Sequence, residues 1–118
     1  MTAKVLRRAA ELVEQGWCQG GLARQKSHGN FVEPFSPLAV EWCAEGALVM
    51  AAYEATGMLP FTEDGLTLLR GLFEAVQRVL PNDSARAQDI AAWNDQSSRT
   101  ADEVAALFRR AADQCEAP

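Results

Sequence analysis

The chain carries one histidine, one tyrosine and three cysteines in 118 residues. Each scarcity narrows the chemistry available to it. A single histidine, His28, leaves one imidazole to act as general base or metal ligand. Cys18, Cys43 and Cys115 lie far apart, and no CxxC or HxxxH pair begins a zinc site. No metal and no cofactor is expected. An odd cysteine count argues against a disulfide-bonded secreted framework, and in a reducing cytosol the three are thiols. No apolar run approaches the ~20 residues of a membrane span. The opening stretch "MTAKVLRRAAELVEQG" is charged through its middle, where a signal peptide would be continuously apolar. The expectation is a cytoplasmic protein without a membrane partner.

Positive charge is also short. Eleven Lys and Arg face sixteen Asp and Glu, for a net charge of −5. Non-specific nucleic-acid binding needs a basic face that displaces counterions, so none is expected. An acidic surface docking on a basic protein groove remains open. What the chain does have is apolar content, 48% of its residues, enough for the core of one domain over 1–118.

The apolar spacing is mostly helical. Val5, Leu6, Ala9, Leu12 and Val13 share one side of a first helix, with Thr2 as its cap and an Arg7–Glu11 pair on its surface. Gly16 would end it in the left-handed conformation. "GLARQ" and "FVE" flank the turn formers "SHGN", which fits a small hairpin or an irregular loop, and Pro34 keeps the second strand short. Ser36 and Pro37 suit the cap and first position of a second helix ending at Gly57. Its rows Trp42–Gly46–Val49–Tyr53 and Val40–Cys43–Ala47–Met50 leave only Glu41 and Glu45 polar, which marks a central, buried helix. Thr62 begins a third helix with Leu66, Leu69, Phe73, Val76 and Leu80 inward, broadened by Leu72 and Val79 and stopped by Pro81. "NDSARAQDIAAWND" supplies a short helix bearing Ile90 and Trp93. Thr100 and Glu103 form a capping box for the last helix, with Val104, Leu107, Phe108, Ala111 and Cys115 inward. The expected fold is mainly all-α, a single-domain bundle of about five helices with helices 1, 3 and 5 around helix 2. A small β-hairpin or a long loop joins helices 1 and 2.

Two stretches echo each other: Trp17-Cys18 and Trp42-Cys43 are both followed closely by glycine. A cysteine nucleophile needs a base and an orienting group, here His28 with Asn94 or Asp95. Cys43, two turns into the expected helix, would lie beyond the helix-end field, and Glu41 and Glu45 would raise its pKa. Core packing accounts for the echo best, because free cysteine behaves as a small hydrophobe and tryptophan adds buried area. Glu41 and Glu45, four apart, read as a solvated strip or as carboxylates lining a pocket and answered by Arg24 or Arg99.

The loop "AAWNDQSSRT" gathers Trp93, Asn94, Asp95, Arg99 and Thr100. Asn and Asp close turns on their own backbone. A structural role would have Asn94 and Asp95 bond the backbone of residues 96–100. A functional role would make the loop a recognition patch beside Trp93. Candidate binding residues are therefore Arg24, Glu45, Trp93, Asn94, Asp95 and Arg99, with no catalytic residue and no metal ligand assigned.

"GWCQGGLAR", "SPLAVEWCAEGAL" and "WNDQSSRTADEVAALFRRA" resemble a family of small, mostly uncharacterised bacterial and phage proteins, over roughly residues 6–112. "MLPFTEDGLTLLRGLFEAVQRVLPNDS" fits that pattern least. The resemblance implies a complete single domain in a bacterial or phage setting and draws attention to Trp17, Trp42, Cys43, Gly46 and the Trp93–Thr100 loop. It implies no reaction. The leading expectation is a non-enzymatic interaction protein that docks on another protein, in phage–host conflict. The alternative is a small-molecule pocket or a cysteine-dependent enzyme built from Cys43, Glu45, Asn94, Asp95 and Arg99.

Overall fold

The computed structural model of the chain describes residues 1–26, 28–81 and 89–117. In chain order the elements are α1 (Thr2–Gln15), β1 (Ala23–Arg24), β2 (Glu41–Trp42), α2 (Ala44–Thr56), α3 (Glu63–Gln77), α4 (Ile90–Asn94) and α5 (Ala101–Glu116). The expected bundle with a small antiparallel pair between its first two long helices is what forms. The first part of the expected short helix, residues 82–88, lies outside the described residues.

α1 and α5 make the most extensive helix pair, α1 also packs on α2, and α3 lies against both α2 and α5. Leu6, Leu12, Leu48, Leu72, Leu107 and Phe108 are fully buried in one core. Each such side chain contributes about 1.5–3 kcal/mol by leaving water. α2 is central in composition, being apolar nearly all round, but α5 packs chiefly on α1 and α3 rather than on it. Ion pairs rim the α1–α5 seam: Arg7 reaches Asp113 at 3.2 Å and also Glu116, and Arg109 grips Glu14 at 2.7 Å. These exposed pairs orient the helices more than they stabilise them.

Several local expectations fall to longer-range forces. Arg7 pairs across to α5 rather than with Glu11, which Arg8 takes at 3.2 Å while also binding Glu54. Met1, not Thr2, is the N-cap of α1, and no side chain caps it. Gly16 is extended, with φ −172°, not left-handed. Glycine is needed there because a Cβ would come within 2.2 Å of the Val40 carbonyl oxygen. α3 ends at Gln77, ahead of Pro81, and its Leu66 is half exposed rather than inward. Cys115 faces solvent on α5.

The largest correction is the start of α2, at Ala44 rather than Pro37. The N–H groups of Val40, Trp42 and Cys43 donate to the carbonyls of Arg24 (2.8 Å), Gly16 (2.9 Å) and Leu22 (3.0 Å). A helix from Pro37 would claim those donors for itself. Ser36 instead closes a turn, its Oγ accepting from the Leu38 N–H at 3.1 Å. Glu41 and Glu45 thus sit on different elements, not on one helical strip, and Val40 is exposed. Cys43 is the N-cap of α2, its Sγ accepting from the Gly46 N–H at 3.3 Å.

Around this segment four short stretches run side by side. Trp17 bridges Trp42 in parallel, and β2 pairs antiparallel with β1, Ala23 opposite Trp42 and Arg24 opposite Glu41. Arg24 in turn bridges Phe31. The last pairing is the hairpin read from "GLARQ" and "FVE". The Trp-Cys echo is therefore two neighbouring stretches in register, with both cysteines buried.

Candidate functional site

Asn94 is the one buried polar residue outside the apolar core among the described residues, with no exposed area. α4 is too short to bury much by itself, and the Asp89 carboxylate starts it by accepting from the Ala92 N–H at 3.0 Å. That turn delivers Asn94 to the gap between the end of α1 and the start of α2. Its Oδ1 accepts from the Trp17 indole N–H at 2.8 Å and from the Ala44 N–H at 3.0 Å. Its Nδ2 donates to the Cys18 carbonyl at 3.2 Å and to the Asp95 carboxylate at 2.9 Å. An amide side chain offers two donors and two acceptor sites, and all four are used.

The surrounding groups complete the knot. Gln19 Nε2 donates to the carbonyls of Asn94 (2.9 Å) and Gln96 (2.8 Å), and the Gly20 N–H donates to Asp95 at 3.1 Å. The Arg99 guanidinium carbon lies over the Trp93 ring, 3.9 Å from its centroid. Its Nε donates to the Trp93 carbonyl at 3.0 Å, and its other nitrogens reach Glu103 and Gln96. The expectation that the side chains of Asn94 and Asp95 would bond residues 96–100 is corrected: their partners beyond each other are residues 17, 18, 20 and 44, at separations of 77, 76, 75 and 50 residues.

Of the candidate residues, Trp93, Asn94, Asp95 and Arg99 share this knot, and Glu45 lies near it on the first turn of α2. Burial raises the Glu45 carboxyl pKa, and Asp89 and Asp95 raise it further. Arg24 is apart, its guanidinium 4.6 Å over the Phe31 ring and its Nε buried with no hydrogen-bond partner among the described residues. It lines a cleft of about 290 Å³ with Trp17, Cys18, Gln19, His28 and Glu41.

That cleft and the knot contain the groups a cysteine mechanism would use, but neither thiol is activated. Burial pushes the Cys18 thiol up to about 12, with Cys43 and Glu41 adding to the rise. Burial pushes Cys43 up to about 11, against the N–H groups of Gly46 and Glu45 that favour the thiolate. A nucleophilic cysteine needs the opposite shift. Cys43 and Asn94 are closed off from solvent, so Cys43, Glu45, Asn94, Asp95 and Arg99 do not open onto a shared cleft. Among the described residues no three His, Cys, Asp or Glu side chains gather as metal ligands.

Two features escaped the sequence reading. Trp17 and Gln19 proved to be partners of the Asn94 loop, signalled only by a buried indole's need for an acceptor. The second is an apolar surface at the α2–α3 corner. Phe61 is 70% exposed and Leu66 50%, with Met58 beside them in sequence order and also exposed. Phe61 packs edge-on against Phe35, which meets Tyr53 at 5.8 Å. Glu63 and Asp64 line an adjoining hollow of about 400 Å³ with Met58, Leu59 and Thr62.

Neither the curated proteins nor the solved structures hold a match to this chain. Residues 1–114 match DUF6197, a family of unknown function, and the chain belongs to that family.

Proposed function

We propose that this is a non-enzymatic docking protein, and that its contact surface for another protein is the α2–α3 corner. The observation that carries this is the exposure of Phe61 and Leu66, with Met58, at the acidic start of α3. Large apolar side chains left in water beside one another mark interaction sites more often than scattered ones do. Phe61 and Leu66 occupy the two positions of a helix-start hydrophobic staple about the Thr62 cap, yet both are left largely exposed. Glu63 and Asp64 give the surface a negative rim, suited to a basic partner. The knot around Asn94 supports the same reading from the other side, since its polar groups are spent on the chain itself. The resemblance to bacterial and phage proteins makes phage–host conflict the proposed setting and the cytoplasm the proposed location.

The test is capture from bacterial lysate with the intact protein and three variants. A partner retained by the parent, released by salt and lost with Phe61→Asp supports the surface. Gln114→Asp, an exposed change on α5, should leave capture intact. A partner retained equally by Phe61→Asp and Leu66→Asp would place the contact elsewhere.

A further inference from the structure

We infer that the Phe31 edge of the small sheet pairs with the same edge of a second copy of this chain, about a two-fold axis. The Val32 N–H donates to the Ala23 carbonyl at 2.9 Å and the Gln25 N–H to the Asn30 carbonyl at 3.1 Å. These bonds flank the Arg24–Phe31 pair, which is therefore the non-hydrogen-bonded kind. In such a pair each residue turns its own N–H and C=O away from the other. Arg24 spends its carbonyl on the Val40 N–H on the far side. Phe31 turns both groups to the open edge, where no described residue meets them.

The edge is short. The Glu33 carbonyl is taken by the Ser36 N–H, and Pro34 has no N–H to offer. One donor and one acceptor on a single residue are self-complementary. Placed antiparallel, the Phe31 N–H donates to the carbonyl of the partner's Phe31 and the reverse bond forms at the same step.

Charge selects the second copy over a foreign strand. One end of the edge carries Lys26 and the other carries Glu33, while no Asp or Glu occurs from Gln15 to Val32. Antiparallel pairing centred on Phe31 sets Glu33 beside the partner's Lys26 turn, twice. The Phe31 ring, 48% exposed and already capped by Arg24, then meets the partner's Phe31 on one face. A hollow of about 430 Å³ lined by Leu22, Phe31, Val32 and Glu33 adjoins this contact.

Sedimentation velocity of the full chain from about 10 μM to about 1 mM tests this, the span suited to an interface below standard size. A concentration-dependent dimer is expected. Phe31→Asp should weaken it about tenfold or more. Lys26→Glu and Glu33→Lys should each weaken it, and the double exchange should restore it; both sites are exposed, so the fold survives. The Phe31 amide should exchange more slowly as concentration rises. A monomer throughout overturns the inference and leaves the edge to a foreign strand. A dimer indifferent to these changes, or one lost with Phe61→Asp, overturns it equally and separates it from the docking surface on α3.

Discussion

The indole of Trp17 and the side-chain carbonyl of Asn94, 2.8 Å apart, tie the end of α1 to the end of α4. The same oxygen holds the first N–H of α2 at Ala44. Three elements therefore depend on one amide. Asn94→Ala should cost about 3 kcal/mol or more, because each buried group left unsatisfied costs about 1–3 kcal/mol. Asp95→Ala, an exposed residue that accepts two of these bonds, should cost about 1 kcal/mol. Chemical denaturation with tryptophan fluorescence measures both. An Asn94→Ala variant as stable as the parent would refute the structural role of the knot.

Gly46 and Gly71 predict opposite outcomes for the same substitution. A Cβ at Gly46 would lie 1.9 Å from the Leu22 carbonyl oxygen, which is backbone and cannot yield. Gly46→Ala should lower stability by about 3 kcal/mol or more, at the high end for overpacking, since it separates α2 from the β1 turn. A Cβ at Gly71 would meet nothing within 4 Å on the exposed side of α3. Gly71→Ala should stabilise by about 0.5–1 kcal/mol. Thermal melts of the two variants check the pair.

Thiol reactivity should rank Cys115 first, with Cys18 and Cys43 far behind. Cys115 is exposed near the end of α5, while burial raises the other two thiols to about 12 and 11. The thiolate is the reactive form, so the buried pair stays inert at neutral pH until the fold opens. Cys43→Ala should cost about 1–2 kcal/mol through lost packing and a lost cap. Cys43→Ser should cost less, because a hydroxyl is the better cap for the Gly46 N–H. Timed labelling followed by mass spectrometry reads the ranking; early modification of Cys43 in folded protein would contradict it.

Glu45 should make the fold pH-dependent in an unusual direction. Its carboxyl pKa is raised by burial first and by Asp89 and Asp95 next, so the folded state holds the proton more tightly than the unfolded chain. The associated stability is present at low pH and is lost as pH rises from the ordinary carboxylate range through the raised value. An acid in a helix's first turn normally gains about 0.3–1 kcal/mol; burial and like charge oppose that gain at Glu45. Glu45→Gln should therefore melt higher than the parent at pH 7, with the gap closing toward acid pH. A variant that melts lower at pH 7 would show that the dipole term prevails.

How much of this was legible depends on how local each cause is. The Thr100–Glu103 capping box and the inward row Val104, Leu107, Phe108 and Ala111 were readable because their partners lie within one or two helical turns. The late start of α2 was not. Ser36-Pro37 is a sound local start signal, overruled by carbonyls at Gly16, Leu22 and Arg24 that only folding brings near. The Trp93–Thr100 loop stood out by composition, yet its bonding partners at residues 17–20 and 44 had no signature in it. Leu66 keeps helical spacing with the core row but lies in the first turns of α3, where it is only half covered.

The pairing of α1 with α5 also bears on when this chain can fold. The two helices come from opposite ends of the chain and make its most extensive packing. Joining them means closing nearly the whole chain as one loop, an entropy cost met before the contact repays it. A nascent chain still missing α5 would leave part of the apolar face of α1 in water. Such surface invites chaperones or aggregation until α5 is available to cover it. Folding should therefore wait for α5 and then be all-at-once, with α1 among the last helices to be covered.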